Sequence, residues 1–344
     1  SKGRATPEML QQTLDKIQTT DQAQDLAGCD LIIEAVYENP ALKATVTKEA
    51  EAHLEESKIF ASNTSTIPIS LLAKASERPK NFIGMHFFSP VDKMPLVELI
   101  VGEETSDYAV AAAVDYVIQI GKIPIVVNDS RGFFTSRVFS TFTREGALLL
   151  KEGVPPVMIE NIAKRVGMPV GPLAAIDEVS LNLALNIMDS DKEERSTTKQ
   201  NLYDLLHKMA VDLGRAGKKA GKGFYEYPAD RKKHIWSGLK EHFPNDVDYL
   251  DAETIGKRIL HIMALESYRC LDEGVLNSPT DGDVGSLTGF GFPPYTGGVF
   301  SYIDYVGLPE FVAECDAFAN AYGPRFAVPE SLRQMAVNKE SFYA

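Results

Sequence analysis

The sequence contains few of the residues that form covalent cross-links or metal sites. Its three cysteines, Cys29, Cys270 and Cys315, lie far apart and are odd in number, which argues against a disulfide framework and a CxxC redox or metal pair. The six histidines include no HxxxH or HxH pair, so we expect no metal ion. Unpaired cysteines are typical of reducing compartments, and we expect a cytoplasmic (bacterial) or otherwise intracellular protein.

Long apolar runs and an excess of positive charge are missing as well. No run approaches the ~18 apolar residues that span a bilayer, and the first ten residues lack the apolar core of a signal peptide. The net charge of −13 argues against a nucleic-acid partner. We interpret the short basic run at residues 231–234 as a solvated linker and not as a phosphate site.

In the first third of the chain, short apolar runs alternate with helical patterns. The runs predict strands at residues 30–35, 58–61, 82–88, 96–101 and 123–128. The segments between them predict helices at residues 41–54, 67–75 and 106–120. This alternation is typical of an α/β fold with a doubly wound, mostly parallel sheet.

From Gly132 onward the pattern becomes helical, and it repeats. Residues in the first copy recur 121 to 127 positions later: Arg137, Glu145 and Glu152 as Arg258, Glu266 and Glu273, residues 167–169 as 291–293, and residues 176–179 as 303–306. Ordered matches of this kind predict a duplicated all-helical unit. We therefore predict a sheet domain at 1–128, a first helical domain at 129–228, a linker at 229–251 and a second helical domain at 252–344.

Three chemically useful side chains lie at or just past the ends of predicted strands, where open α/β sheets place their chemistry. They are the hydroxyl of Ser65, the imidazole of His86 and the carboxylate of Glu98. Oxidation of a hydroxy substrate by a nicotinamide cofactor needs a base, a carboxylate that orients this base and a donor to the substrate oxygen. Each residue alone also has a structural explanation: a buried histidine, a helix cap and an edge-strand charge.

A serine, a histidine and a glutamate also make the nucleophilic site of a hydrolase. In that case the serine is exposed on a GxSxG elbow. Ser65 lies in the sequence SNTST instead, which disfavours the hydrolase interpretation.

Four segments resemble the L-3-hydroxyacyl-CoA dehydrogenase family, most closely the dehydrogenase part of the multifunctional fatty-acid oxidation α-subunit. They are ASNTS (61–65), GMHFFSPVDKMPLVELI (84–100), DSRGFFTSR (129–137) and KKAGKGFYEY (218–227). The resemblance covers essentially the whole chain, including the duplicated helical unit, which single-function members carry once. It implies a Rossmann-type NAD domain followed by helical domains, and the reversible oxidation of 3-hydroxyacyl-CoA to 3-ketoacyl-CoA.

The resemblance also implies a role for individual residues. His86 corresponds to the catalytic base, Glu98 to its partner and Ser65 to the serine on the substrate oxygen. Further positions correspond to a substrate contact, Ser136, and to cofactor contacts, Glu38, Lys43, Ser89 and Lys219. The family usually has asparagine at positions 89 and 136, and since serine has a shorter reach and no amide group, we expect altered contacts there.

The family's glycine-rich G-x-G-x-x-G turn, and the acidic residue that follows it, have no counterpart in this sequence. We therefore expect an incomplete Rossmann-type sheet that lacks its first strand and glycine loop, and weak or absent NAD binding by the chain as given. The implied partners are the acyl-CoA substrate and, in a longer parent protein, an upstream enoyl-CoA hydratase domain and a thiolase subunit. The alternative is a catalytically silent structural or CoA-binding fragment of the same fold.

Because the second helical copy has no counterpart of Ser65, His86 or Glu98, we expect it to be structural. Its packing against the first copy would replace an interface between subunits. We expect the acyl chain to lie between the sheet and the first helical unit.

Overall fold

A five-stranded sheet occupies the first third of the protein. The computed structural model describes residues 6–190, 196–244 and 251–343. The strands follow one another in the sheet in chain order: β1 (Leu31–Glu34), β2 (Ile59–Ser62), β3 (Phe82–Phe87), β4 (Leu96–Val101) and β5 (Ile123–Asn128). The first three strands are parallel, β4 is antiparallel to β3, and β5 is parallel to β4. The ends of β1–β3 and the starts of β4 and β5 therefore share one edge of the sheet, the site edge.

Helices cover both faces of this Rossmann-like sheet. The helices of this region are α1 (Pro7–Leu14), α2 (Pro40–Glu51), α3 (Ile69–Ala73) and α4 (Asp107–Gln119). On one face, Ile83, Met85 and Leu99 pack against the buried small residues of α4. On the other face, Phe82 and Leu96 join the core that the helical units build. Because alternate side chains point to opposite faces, strands buried on both sides are apolar throughout, which is why the sequence shows them so clearly.

The predicted elements of this region are confirmed with small shifts at their ends. The strands at 96–101 and 123–128 have the predicted bounds, and the other three differ by at most two residues. The predicted helix at 41–54 begins at Pro40 and ends at Glu51, with the Asn39 side chain accepting a hydrogen bond from Leu42 N (3.0 Å) at its start. The sheet is mostly parallel, as predicted, and its one antiparallel pair arises because the turn at residues 88–95 reverses the chain between β3 and β4.

The first helical unit spans residues 135–244. Its elements are α5 (Thr135–Lys151), α6 (Pro156–Arg165), α7 (Pro172–Val179), α8 (Leu181–Ser190), α9 (Thr197–His207), the strands β6 (Tyr225–Glu226) and β7 (His234–Ile235), and α10 (Leu239–His242). The segment predicted to be a linker therefore contains β7 and α10. Both pack on the first unit: Trp236 N donates to Phe224 O (2.9 Å), and Leu239 is fully buried. Residues 245–250 of that segment lie outside the described residues.

The second helical unit spans residues 252–343. Its helices are α11 (Ala252–Asp272), α12 (Pro279–Gly289), α13 (Val299–Val306), α14 (Leu308–Tyr322) and α15 (Glu330–Asn338). It also contacts the sheet at the edge opposite the site edge, where Asn128 N donates to Val275 O (2.9 Å) and Asn128 Nδ2 donates to Gly274 O (2.7 Å). The second unit therefore covers the far end of β5.

Repeated carboxylates make the same contacts in the two helical units. Glu160 accepts a hydrogen bond from Leu173 N (2.8 Å) at the start of α7, and Asp283 accepts one from Phe300 N (2.7 Å) at the start of α13. Gly171 and Gly298 precede these helix starts, and a Cβ on either would lie 2.2 to 2.5 Å from the carboxylate side chain. Both units thus use an acidic side chain to satisfy the free N–H groups of a helix start, which needs close packing.

A second pair of carboxylates reveals a repeat that the sequence analysis did not include. Asp177 accepts hydrogen bonds from Phe224 N and Tyr225 N, and Asp304 accepts them from the N–H groups of Phe342 and Tyr343, all at 2.9 to 3.0 Å. The Phe-Tyr dipeptide of the first unit therefore recurs at residues 342–343. The match between residues 224–225 and residues 342–343 is the signal that could have extended the predicted repeat to the end of the chain.

Helices α5 and α11 bring the two units together with reciprocal ion pairs. Arg137 of the first unit binds Glu266 and Glu273 of the second, with N–O distances of 2.5 Å. Arg258 of the second unit binds Glu145 and Glu152 of the first at 2.5 and 2.6 Å. The residues that repeat in the sequence are therefore those that pair across the interface.

Two general features concern the described residues as a whole. In residues 6–190, 196–244 and 251–343, no helix combines the length and the apolar character that crossing a membrane requires. The same residues contain no group of three or more histidine, cysteine, aspartate or glutamate side chains arranged to hold a metal ion.

Candidate active site

His86 and Glu98 form a buried pair on neighbouring strands. The antiparallel register places His86 of β3 directly opposite Glu98 of β4. Directly opposed side chains lie on the same face of a sheet and close together. Nδ1 of His86 is 2.9 Å from Oε2 of Glu98, and the two residues are 5% and 0% exposed. The predicted pair of base and carboxylate is therefore in direct contact.

The position of Glu98 differs from the prediction in one respect. Glu98 is the third residue of β4 and not a residue at a strand end. It reaches the site edge because β4 runs antiparallel to β3, so that its first half lies beside the end of β3. The interpretation of Glu98 as an edge-strand charge is wrong, since β4 lies between β3 and β5.

The Glu98 carboxylate accepts three further hydrogen bonds from the start of α5. Oε1 accepts from Phe134 N and Thr135 N, both at 3.0 Å, and Oε2 accepts from Thr135 Oγ1 at 2.5 Å. An ionised carboxylate has no proton to donate. Nδ1 of His86 is therefore the donor in the pair, and Nε2 keeps a lone pair that can take a proton.

Left-handed backbone at the start of α5 points two N–H groups at Glu98. Gly132 has φ 80° and Phe133 has φ 50°, a conformation that costs a non-glycine residue roughly 1–2 kcal/mol. Successive N–H groups in such a turn make an anion-binding concavity. The Phe133 ring is fully buried, with its centroid 6.3 Å from that of His86, and the Phe88 centroid is 4.3 Å from it. Aromatic rings thus flank the imidazole.

The turn after β2 is tied to Glu38, which follows β1. Oε1 of Glu38 accepts hydrogen bonds from Thr64 Oγ1 (2.6 Å), Ser65 N (2.9 Å) and Thr66 N (3.1 Å). Ser65 is exposed at the site edge. Its side chain does not cap the following helix, as the alternative had it, since the first N–H groups of α3, those of Ile69 and Ser70, donate to the Asp129 carboxylate (2.9 and 2.7 Å). The structure therefore brings Ser65 and Glu38 together.

Lys43 lies beneath this turn. Its side chain is 1% exposed, and Nζ is 2.5 Å from Oε1 of Glu34, 3.0 Å from Asn63 O and 3.8 Å from Oε2 of Glu38. Asn63 Oδ1 in turn accepts from Phe87 N (3.1 Å) at the end of β3. Lys43 therefore joins the loops of the site edge, and its contact with a cofactor stays a prediction. The sequence analysis missed Glu34, an acidic residue in an otherwise apolar strand.

The three remaining residues predicted to bind substrate or cofactor lie in three different parts of the structure. Ser89 is exposed in the turn after β3, and Ser136 is half-buried as the second residue of α5, beside Thr135. Lys219 is exposed in a short turn of the first helical unit, which packs against α7. Among the hydrogen bonds of the described residues, none joins that turn to the sheet. The predicted roles of these three residues stay predictions.

Thr135 is a site residue that the sequence analysis missed. Its hydroxyl contacts the same carboxylate oxygen as His86. The available signal was a hydroxyl residue at the first position of the helix predicted after Gly132. Its partner was not apparent, because Glu98 lies 37 residues earlier in the chain.

Comparison with known proteins gives matches along the whole chain. The family model described as 3-hydroxyacyl-CoA dehydrogenase, NAD binding domain, matches residues 1–130, and the model of the C-terminal domain matches residues 132–227. The fatty acid oxidation complex subunit alpha of Pseudomonas putida is 39% identical over 99% of this chain and 49% of its own length. That of Psychrobacter arcticus is 36% identical over 100% and 49%. The chain thus spans about half the length of these curated relatives.

Solved structures give the same picture. The (S)-3-hydroxybutyryl-CoA dehydrogenase PaaH1 from Ralstonia eutropha is 38% identical, covers 65% of this chain and 80% of its own, and has a TM-score of 0.60. The 3-hydroxybutyryl-CoA dehydrogenase from Escherichia coli covers 98% of this chain and 87% of its own with a TM-score of 0.79. At 21% identity, that match shows the shared fold.

Proposed function

Because this chain belongs to the 3-hydroxyacyl-CoA dehydrogenase family, we propose that it carries the site that oxidises L-3-hydroxyacyl-CoA to 3-ketoacyl-CoA in fatty-acid β-oxidation. The observation that best supports this proposal is the buried His86–Glu98 pair at the site edge. A histidine with one nitrogen bound to a carboxylate and the other free is suited to accept a proton from a hydroxyl group.

His86 is the general base of the proposed reaction. Its Nε2 accepts the proton of the substrate hydroxyl while the carbon that bears this hydroxyl loses a hydride. The C–O single bond thereby becomes a carbonyl. Glu98 stabilises the imidazolium that results, since it already accepts the Nδ1 hydrogen. The exposed Ser65 hydroxyl donates to the substrate oxygen and holds it beside the base.

The residues around the site edge fit the nicotinamide end of NAD. Glu38 offers a carboxylate with 34% of its side chain exposed, and the hydroxyls of Ser65 and Ser89 belong to exposed residues in neighbouring turns. These residues would hold NAD, which supplies the acceptor for the hydride. Lys43 and Lys219 are the further cofactor contacts that we propose, Lys43 acting from beneath the turn that it supports.

We propose Ser136 as a substrate contact outside the sheet. It is the second residue of α5 and follows Thr135, which bonds Glu98. We propose that the acyl chain lies between the sheet and the first helical unit and that the second unit is structural. The relatives are subunits of a fatty acid oxidation complex by name. A thiolase subunit and an enoyl-CoA hydratase domain are accordingly the proposed partners of the whole protein.

Two substitutions test the proposed reaction. The protein, with its identity checked by intact mass, is assayed for NADH oxidation with acetoacetyl-CoA over a wide range of NADH concentrations, because weak cofactor binding is expected. His86→Ala should lower kcat about 10²–10⁴-fold, the contribution of positioned acid–base catalysis. Glu98→Gln should lower kcat in the same range, because an amide cannot accept from all four donors that face it.

The matched control is His234→Ala, which removes an exposed histidine far along the chain and should leave turnover unchanged. Retained turnover in His86→Ala would overturn the proposal. If the unsubstituted protein is folded and binds acetoacetyl-CoA but shows no turnover, the result would favour the alternative, a catalytically silent structural or CoA-binding fragment of the same fold.

A further inference from the structure

The Thr135 hydroxyl and the His86 imidazole share one oxygen atom. Thr135 Oγ1 lies 2.5 Å and His86 Nδ1 lies 2.9 Å from Oε2 of Glu98. The other oxygen, Oε1, is occupied by the N–H groups of Phe134 and Thr135. With both oxygens engaged and Glu98 fully buried, the carboxylate has one orientation.

From this arrangement we propose that Thr135 is a positioning residue of the His86–Glu98 pair, with two effects. The hydroxyl fixes Oε2 in the direction of Nδ1, and so fixes the ring of His86. It also takes up part of the negative charge on Oε2, which weakens the pull of the carboxylate on the Nδ1 hydrogen. The inference rests on the proposed function, in which His86 must begin the reaction as a neutral base.

The charged and titratable groups around the pair do not offset the negative charge of Glu98. The Thr135 hydroxyl is therefore the side chain that reduces the effect of this charge on His86. On α11, burial raises the pKa of the Cys270 thiol, which interacts with Glu98, so this thiol stays neutral. Arg137 of α5 is bound by Glu266 and Glu273. At the site edge, Glu34 and Lys43 neutralise each other. Among the described residues that donate hydrogen bonds to Glu98, the donors other than His86 and the Thr135 hydroxyl are backbone N–H groups, which a substitution does not remove.

Removing the hydroxyl should therefore change both rate and pH dependence. Thr135→Val keeps the branched shape, and we expect kcat to fall about 10- to 100-fold, the factor that corresponds to losing one hydrogen bond to a charged group, with KM nearly unchanged. Glu98 would then interact more strongly with His86, so that the imidazole keeps its second proton to a higher pH. The acid limb of kcat/KM should move up by about one pH unit, since a hydrogen bond to a charged acceptor is of that size.

The experiment compares three variants in the acetoacetyl-CoA assay and in an NMR titration of the His86 ring, assigned with His86→Gln. Thr135→Ser restores a hydroxyl and should return rate and pH profile close to the parent values. Thr143→Val is the matched control, because it removes a threonine hydroxyl of the same helix, one that donates to Ser140 O within that helix (3.0 Å). It should leave rate and titration unchanged.

Opposite results decide against the proposal. It is overturned when Thr135→Val matches Thr143→Val in kcat, in the acid limb and in the ring titration. It is also overturned when Thr135→Ser behaves like Thr135→Val. If His86→Gln retains turnover, the proposed function fails instead, and the ring titration still decides whether Thr135 acts on His86.

Discussion

The two helical units use the same contacts in different surroundings. Arg137 and Arg258 are equivalent residues, and each binds two glutamates of the other unit. The side chain of Arg137 is 20% exposed, whereas that of Arg258 is fully buried and lies 3.8 Å from the centroid of the Tyr322 ring. Since charged pairs gain or lose most where water is excluded, equal geometry does not imply equal energy.

The starts of the equivalent helices α5 and α11 differ more strongly. Thr135 donates hydrogen bonds to Glu98 of the sheet and is followed by Ser136. The counterparts of these two residues, 121 positions later, are Gly256 and Lys257. Lys257 pairs with Glu314 at 2.5 Å, within the second unit. The equivalent position thus reaches the candidate site in the first copy and makes contacts within its own unit in the second. Duplication preserved the interface and left the helix starts free to diverge.

The largest difference between the copies is expected for the two arginines. Arg258→Ala should lower the free energy of unfolding by about 3 kcal/mol, because it leaves a buried carboxylate short of a partner. The loss stays at the lower end of the usual range, since Arg325 also binds Glu145 (2.6 Å). Arg137→Ala should cost about 1 kcal/mol, as Glu273 is 52% exposed and can be hydrated. Urea unfolding of both variants measures the difference.

A suitable control for this measurement is Arg333→Ala. Arg333 and Asp316 form a pair in the second unit whose side chains are 36% and 39% exposed. Its removal should cost at most about 1 kcal/mol. Equal losses in Arg258→Ala and Arg137→Ala would show that burial does not separate the two halves of the interface.

The next largest losses in the free energy of unfolding are expected for the carboxylates that bind the repeated Phe-Tyr dipeptides. Asp177 is 1% exposed and accepts two N–H groups and the Tyr227 hydroxyl (3.0 Å), whereas Asp304 is half-buried. Asp177→Ala should lower the free energy of unfolding by about 2–3 kcal/mol, and Asp304→Ala by about 1 kcal/mol, since exposed donors can bind water. Thermal and urea unfolding check these values. A larger loss in Asp304→Ala would contradict this ranking.

The sequence predicted the sheet well because its strands are buried on both faces and are therefore apolar throughout. Leu96–Val101 is one example: four of its five non-acidic residues are fully buried. It predicted His86, Glu98 and Ser65 as a set because their residue types and spacing fit one reaction. The reversal of β4, which makes His86 and Glu98 direct partners, depends on the path of the turn at 88–95 and has no comparable periodic signal.

Contacts between distant segments were the part that the sequence did not reveal. The repeated Arg and Glu residues were recognised, but their exchange between copies depends on how α5 and α11 cross. Thr135 and Glu34 were missed for the same reason, because their partners lie in other elements. Lys43 was assigned from the resemblance alone, and nothing in its neighbourhood in the sequence indicated a buried ammonium group.

A smaller contrast concerns the tyrosines of the two dipeptides. Tyr225 OH donates to Oε2 of Glu160 (2.5 Å), and Tyr343 OH donates to Oδ2 of Asp283 (2.9 Å). Tyr225 is 6% and Tyr343 is 39% exposed. Tyr225→Phe should cost about 1.5 kcal/mol and Tyr343→Phe about 0.5 kcal/mol, because water can replace the exposed hydroxyl. Differential scanning calorimetry of the two variants tests this ratio, and an equal shift in Tm would refute it.

A further contrast is a difference in how the stability of the two units responds to pH. Burial raises the pKa of Asp177 in the first unit to about 6, whereas hydrogen bonds from His261 and Lys257 lower the pKa of Glu314 in the second unit to about 2. The folded state therefore binds the Asp177 proton more tightly than the unfolded chain, so this group's contribution is lost as the pH rises from about 4 to 6. The contribution of Glu314 is present above about pH 4.5 and is lost as the pH falls toward 2.

Each of these contributions should amount to about 1 kcal/mol after screening by solvent, and urea unfolding at a series of pH values measures them. Asp177→Asn should remove the decline between pH 4 and 6 and leave the loss below pH 4.5. Glu314→Gln should do the reverse, because it removes only the group whose ionised form the folded state favours. If both variants flatten the same part of the curve, the two sites are coupled through the α5–α11 interface and the units do not titrate independently.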